Sequence, residues 1–314
     1  FSPFILAEAS KFPEFTGNTE TWTKVPQHTP TDYFRINFRT NKECYDIIKK
    51  YSDRKRYIFN NNYIDQLLIS HPDYLLNYPN TNNLKIMYFD IEVVTRGDGY
   101  FPRPMTNEVL CIGYSIWEYN NIGEKSKIKQ DIIKGFSENT KDLHILTFFK
   151  QVIINEDPDI IAGYNSESFD FPYLIDRFEL MKIDTNGIGR NNRKIYKYKN
   201  QIIIPGRIHF DIYNSNAGVT KDQTLTGIKS KTLKDLARFY KVNIEDIELP
   251  DEIANLYKLY QENPEKLYSY QNDDVLRTEH VGNVYIRNCI TLAEMMGCPL
   301  DSIVTMFSSF IPKL

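Results

Sequence analysis

The sequence predicts an α/β (α+β) fold in two domains, and three observations predict it. Stretches of strand and helix character alternate along the 314 residues at the spacing of compact α/β chains. One strand, Tyr88-Phe89-Asp90-Ile91-Glu92-Val93-Val94, has apolar residues on both parities: Leu84, Ile86 and Tyr88 on one, Met87, Phe89, Ile91 and Val93 on the other. A strand covered on both faces reads this way. The same strand carries two carboxylates where a buried strand should carry none. With a side-chain period of two, Asp90 and Glu92 project from one face. Two anions side by side in apolar surroundings raise the electrostatic cost unless a cation sits between them, and a divalent metal is the expected answer. The alternative is an edge strand with both acids in solvent. Further acidic motifs downstream speak against it.

In chain order, residues 1–83 read as a smaller α/β domain: strands over Pro3–Ala9, Tyr33–Arg39 and Arg56–Phe59, helices over Glu43–Tyr51 and Asn62–Leu76. The turn-rich Tyr78–Asn83 is the expected boundary. The basic run from Lys49 to Arg56 could touch phosphates or be a solvated helix end. After the central strand, Thr95–Pro104 is a loop at the strand's C-terminal end, where open α/β sheets keep their sites. Val109–Tyr119 is the next strand, antiparallel if it pairs as a hairpin, and Asn120–Lys134 adds a turn and strand. Leu146, Phe149, Val152 and Ile153 fall at helical spacing within Leu143–Asn155.

From Asp159 an apolar strand runs into the polar turn Tyr164-Asn165-Ser166-Glu167-Ser168, and a helix is expected from about Phe171, with Pro172 in its first turn. Ser168 or Asp170 could cap that helix, and Asn165 could hold the turn. Arg190–Arg207 interleaves Arg193, Lys194, Lys197 and Lys199 with Tyr196 and Tyr198. Such a basic hairpin suits single-stranded nucleic acid, and equally suits a protected sheet edge. Asp211, on the strand Ile208–Tyr213, is a weaker carboxylate candidate because it lacks a partner two residues away. Helices follow over Thr232–Tyr240, over Asp251–Asn263 and from Pro264. On the last, Tyr270 and Asp274 share a face one turn apart, while Asp273 points elsewhere.

Composition narrows the function classes. A net charge of −3 argues against a broad basic surface for duplex nucleic acid and leaves room for a short single-strand cleft. The 22 Tyr and 19 Phe suit stacking on bases as well as packing. Cys44, Cys111, Cys289 and Cys298 are scattered without zinc spacing, as expected of reduced thiols in a cytoplasmic protein. No stretch approaches the ~18 apolar residues of a membrane span. A chain that starts at Phe1 and stops at Leu314 reads as a piece of something longer.

Asp90-Ile91-Glu92, Asn165-x-x-x-Phe169-Asp170 and Tyr270-x-x-x-Asp274 resemble, in order and spacing, the three exonuclease motifs of family B DNA polymerases of the DEDDy type. The wording around the first two is close to the phage-type branch. The resemblance implies an N-terminal domain over 1–83, a 3′-5′ exonuclease domain of ribonuclease H-like fold with a mixed sheet over 84–286, and a segment over 287–314 returning to the N-terminal domain. No polymerase motif of the D-x-x-S-L-Y-P or Y-x-D-T-D type occurs, so the polymerase domain is an absent partner. It implies a proofreading nuclease of DNA replication, a monomer acting on single-stranded or frayed DNA 3′ ends. Asp90, Glu92, Asp170 and Asp274 would hold two Mg²⁺ or Mn²⁺ ions, with Asp90 bridging, and Tyr270 would orient the attacking water. A histidine variant of the superfamily has its His where this chain has Ser269. Asn165 and Phe169 would contact the terminal nucleotides, and the basic hairpin would help pass the strand. The competing expectations are a free-standing exonuclease on RNA or oligonucleotides and a silent single-strand-binding module.

Overall fold

The computed structural model describes residues 4–8, 22–24, 33–50, 57–58, 83–97, 99–120, 125–226, 228, 230–242, 255–296 and 299–310. The chain divides into two units, Phe1–Pro79 with Gly297–Pro299 and Asn80–Met296 with Leu300–Leu314. In the first, strands β1 (Phe4–Glu8), β2 (Trp22–Lys24) and β3 (Tyr33–Asn37), helix α1 (Asn41–Lys50) and strand β4 (Tyr57–Ile58) follow one another. The strands form an antiparallel sheet in the order β2-β3-β1-β4. Strand β2, too short to show a period, had no sequence signal, and the helix expected over Asn62–Leu76 lies outside the described residues. Thr40 and Glu43 form a reciprocal cap at the start of α1: Glu43 N donates to Thr40 Oγ1 (3.2 Å) and Arg39 N to Glu43 Oε2 (3.0 Å).

The second unit opens with β5 (Leu84–Val93), β6 (Val109–Tyr119) and β7 (Lys125–Ile133), then α2 (Leu143–Glu156), β8 (Ile160–Gly163) and α3 (Asp170–Leu180). A small hairpin of β9 (Tyr196–Tyr198) and β10 (Gln201–Ile203) precedes β11 (Ile208–Asp211). Helices α4 (Leu233–Phe239), α5 (Leu256–Glu262), α6 (Pro264–Met296) and α7 (Leu300–Phe310) complete it. The five-stranded sheet runs β11-β8-β5-β6-β7 and is mixed: β5 pairs antiparallel with β6 and parallel with β8. The remaining pairs are antiparallel for β6 and β7 and parallel for β8 and β11.

Strand β5 is covered on both sides, as its two apolar parities require. Met87, Phe89 and Ile91 belong to the core with Ile145, Leu146 and Phe149 of α2 and Phe171 of α3. The Phe89 ring lies 5.5 Å from that of Phe149 and 4.8 Å from that of Phe171. The other parity meets α6, where the Tyr88 hydroxyl donates to Asn283 Oδ1 (2.8 Å). Gly282 makes this approach possible, since a Cβ there would stand 2.5 Å from Tyr88 Cε1.

The first boundary falls at Pro79/Asn80, a few residues early, and the boundary after 286 falls inside α6. From Asn283 to Met296 there is no Gly or Pro to stop a helix, so α6 continues past that point. Of the segment that follows, Gly297–Pro299 groups with the first unit and Leu300–Leu314 with the second. Among the described residues no helix is long and apolar enough to cross a membrane. Cys44, Cys111 and Cys289 are buried free thiols.

Candidate metal centre

The site is assembled where the C-terminal half of β5 meets α6. Asp90 pairs across to Gly113 of β6, and Glu92 to Cys111. A Cβ at Gly113 would lie 2.6 Å from Val275 Cγ2 and 2.9 Å from Gln271 Cγ, so only glycine lets α6 lie against the sheet here. That contact brings the helix's acid to the strand's two acids. Ligand oxygens of Asp90, Glu92 and Asp274 lie within 4.8 Å of one another. Two further α6 side chains hold them: Gln271 Nε2 donates to Asp90 O (2.9 Å) and Asp90 Oδ2 (3.0 Å), and the buried Arg277 Nη1 donates to Asp274 Oδ1 (2.7 Å).

Asp170, the first residue of α3, is buried and lines the same cleft, of about 520 Å³, as the other three acids. It stands outside the group of three whose oxygens lie within 4.8 Å. The helix N-terminus offers it partial positive charge, and the backbone N–H groups of Asp170 and Ile91 favour its charged form. The helix starts one residue earlier than expected. Its N-cap position is Phe169, with no side-chain cap bond, so neither Ser168 nor Asp170 takes the capping role the sequence left open.

Burial, and then the charges of Asp170, Glu92 and Asp274, push the Asp90 carboxyl well above the ordinary carboxylate range; the Gln271 amide relieves part of this. Glu92 is raised likewise by burial and then by Asp274 and Asp170. Burial also raises Asp170 to about 7, with Asp211 adding to it and the two backbone N–H groups opposing. The Tyr270 hydroxyl is pushed far up by burial and then by the charges of Asp274 and Glu92. These are anions crowded together without enough positive charge. The donor set, all hard oxygens at close range, fits a hard cation.

The rim of the cleft comes from the turn after β8 and the loop after β5. Asn165 has φ +63°, a left-handed conformation that Asn tolerates, and its Oδ1 accepts from Asn214 Nδ2 (2.7 Å). It both holds the turn and lines the cleft. Asp211 organises that turn: it accepts from the backbone N–H groups of Asn165 (3.2 Å), Glu167 (2.8 Å), Tyr213 (2.8 Å) and Asn214 (2.9 Å). With so many local donors it is an architectural acid. The Phe169 ring meets Phe101 edge-on at 5.6 Å and Tyr173 at 5.5 Å, and Phe101 is 74% exposed.

A profile of the DNA polymerase family B exonuclease domain matches residues 29–234. The chain belongs to that family. It is 27% identical over 229 residues to a DNA polymerase of Archaeoglobus fulgidus, covering 71% of this chain and 26% of that protein. To the DNA polymerase delta catalytic subunit of Dictyostelium discoideum it is 28% identical over 244 residues, 69% of this chain and 21% of that one. It thus spans about a quarter of the length of these curated relatives. The family B DNA polymerase of Pyrobaculum calidifontis has the same fold, with a TM-score of 0.68 at 18% identity over 97% of this chain and 43% of that chain. The mixed sheet is therefore that of the ribonuclease H-like exonuclease domain of family B polymerases.

Sequence reasoning named the four acids and Tyr270 but not the side chains that touch Asp90 and Asp274. Arg277 was visible as an i,i+3 partner of Asp274. Phe101 stood in the loop flagged as a site loop. Gly113 and Gln271 had no signal, because their role depends on which residues face one another across the sheet. The basic hairpin is partly committed to structure. Arg207 donates to Asp157 Oδ1 (2.6 Å), Arg190 to Asp159 Oδ1 (2.8 Å) and Lys197 to Asp176 Oδ1 (2.7 Å). Tyr196 and Tyr198 remain exposed.

Proposed function

We propose that this cleft is a proofreading 3′-5′ exonuclease site that hydrolyses the terminal phosphodiester of a single-stranded or frayed DNA 3′ end. The observation that carries the reading is the convergence of Asp90, Glu92 and Asp274 within 4.8 Å in the cleft that Asp170 also lines. Asp90, Glu92, Asp170 and Asp274 would hold a pair of Mg²⁺ or Mn²⁺ ions. When bound, such a pair supplies a water of lowered pKa and positive charge for the departing 3′ oxygen. The protein's own part is to place and to exclude. The acids gather the charge that an anionic substrate needs countered. Tyr270, one helical turn before Asp274 and with its pKa raised by burial and by that acid's charge, holds its proton and would orient the attacking water. Phe169 and Phe101 offer ring surface to the terminal bases, and Asn165 a polar contact. Nothing in this set reads a base edge, so degradation is sequence-independent, and mispaired ends, cheaper to unstack, are preferred.

The test is degradation of a labelled single-stranded oligodeoxynucleotide by the 314-residue chain with Mg²⁺ or Mn²⁺, against matched duplex and RNA strands. Asp90→Ala with Glu92→Ala is expected to bring degradation below detection while leaving the fold intact. Undiminished degradation by that variant would sink the assignment. In the parent polymerase this domain would receive the frayed strand from a polymerase domain.

A further inference from the structure

We propose that Arg277 is a positioning residue for Asp274, fixing its carboxylate for cation binding; this rests on the metal-dependent nuclease reading above. Tyr270, Gln271, Asp274 and Arg277 follow one another along one face of α6. Arg277 is 2% exposed and among the largest fully buried side chains. A guanidinium stays charged, and burying it is costly unless it is hydrogen-bonded. Its Nη1 lies 2.7 Å from Asp274 Oδ1, the length of a charge-assisted bond. The same i,i+3 spacing at Asp235 and Arg238 shows the ordinary case: 3.3 Å, with the two side chains 32% and 62% exposed. Such a surface pair adds little to a helix. At Asp274 the pair is short and Arg277 is out of the water, on an acid that also belongs to the three-acid cluster. The carboxylate is thus gripped by one strong donor while the rest of it faces the cluster.

Two roles for Arg277 predict opposite signs. If it only screened the acids, removing its charge would strengthen cation binding. If it positions Asp274, removing it frees the carboxylate to rotate and weakens binding, by about 10- to 100-fold for partners of metal ligands. The second is the expected result.

The experiment is a Mn²⁺ titration of the 314-residue chain followed by electron paramagnetic resonance, with thermal melting in chelator to report the fold. Arg277→Gln is expected to bind Mn²⁺ about 10- to 100-fold more weakly than the unchanged protein, and Arg277→Lys to fall between them. Unchanged or tighter binding by a folded Arg277→Gln overturns the proposal. Should that variant not fold, Arg277→Lys decides, because an ammonium cannot reproduce the guanidinium's bond and equal affinity overturns the proposal. If the unchanged protein binds no Mn²⁺, or Asp90→Ala with Glu92→Ala binds it equally well, the reading of the site has failed and the proposal falls with it. If the unchanged protein binds and Arg277→Gln binds equally, only the positioning role has failed.

Discussion

Two places in the second unit bury acids beside the same pair of strands, and they treat them in opposite ways. Asp142, just ahead of α2 and fully buried, gives both oxygens to Arg177: Nε to Oδ2 at 2.8 Å and Nη2 to Oδ1 at 2.6 Å. It also accepts the Val109 N–H at 3.0 Å, while Arg177 donates to Pro104 O at 2.7 Å. Every charge there has its counterpart, and the pair ties α3 to the loop that carries Phe101. Asp90 and Glu92, on the strand next to Val109, face two more acids, and Gln271 and Arg277 relieve only part of the repulsion. A satisfied buried acid builds architecture. A crowded, undersupplied one is a receptor for positive charge.

The largest expected effect breaks the satisfied pair. Arg177→Met leaves Asp142 buried without its partner and should cost about 3–5 kcal/mol in urea denaturation. The double change Asp90→Ala with Glu92→Ala should leave stability unchanged or raise it, because it removes repulsion. If both variants lose stability equally, the contrast between the two regions is wrong.

Next comes the dependence on pH and cation. A carboxyl whose folded pKa lies above its unfolded value makes the folded protein bind more protons between the two, so its stabilising effect is present at low pH and disappears as pH rises through the folded value. Asp170 moves from the ordinary 3.8 to about 7, and Asp90 and Glu92 move in the same direction. The cation-free protein should therefore melt at progressively lower temperature as pH rises from about 4 through about 7. Mn²⁺ at about a hundred times its dissociation constant should return about 2.7 kcal/mol at the upper end. Melting curves with chelator and with Mn²⁺ check this. A melting temperature that climbs with pH without cation would contradict the crowding.

These contrasts also show what the sequence could carry. The pairing of Asp90 with Glu92 and of Tyr270 with Asp274 is local, set by the strand and helix periods, and was legible without any partner. The convergence of strand and helix was legible only through the family resemblance, because no period links residues so far apart in the chain. The roles of Gly113, Gln271 and Asp211 depend on register and on the close approach of α6, which no local pattern encodes. The residues around 286 favour continuing the helix, and α6 runs through that point, because domain ends follow long-range contacts and not local helix preference.

A smaller loss of stability than that of Arg177→Met is expected at Gly113, and it sharpens the comparison because it acts on the crowded site through packing alone. Gly113→Ala sets a methyl 2.6 Å from Val275 Cγ2 and 2.9 Å from both Gln271 Cγ and Nε2. Overpacking of this kind costs about 1–3 kcal/mol, released if α6 backs away from the sheet. The helix cannot retreat there without carrying Gln271 from Asp90 and Asp274 from Glu92. A displacement of about 1 Å in such a site costs about 10²-fold in rate. The expected signature is thus a modest drop in melting temperature with a disproportionate loss of nuclease activity and of Mn²⁺ affinity. Arg177→Met should do the reverse, with a large loss of stability and, in the molecules still folded, near-normal Mn²⁺ affinity. If Gly113→Ala lowers stability and leaves both site properties untouched, then α6 is not what holds the acids together, and the strand alone must account for the cluster.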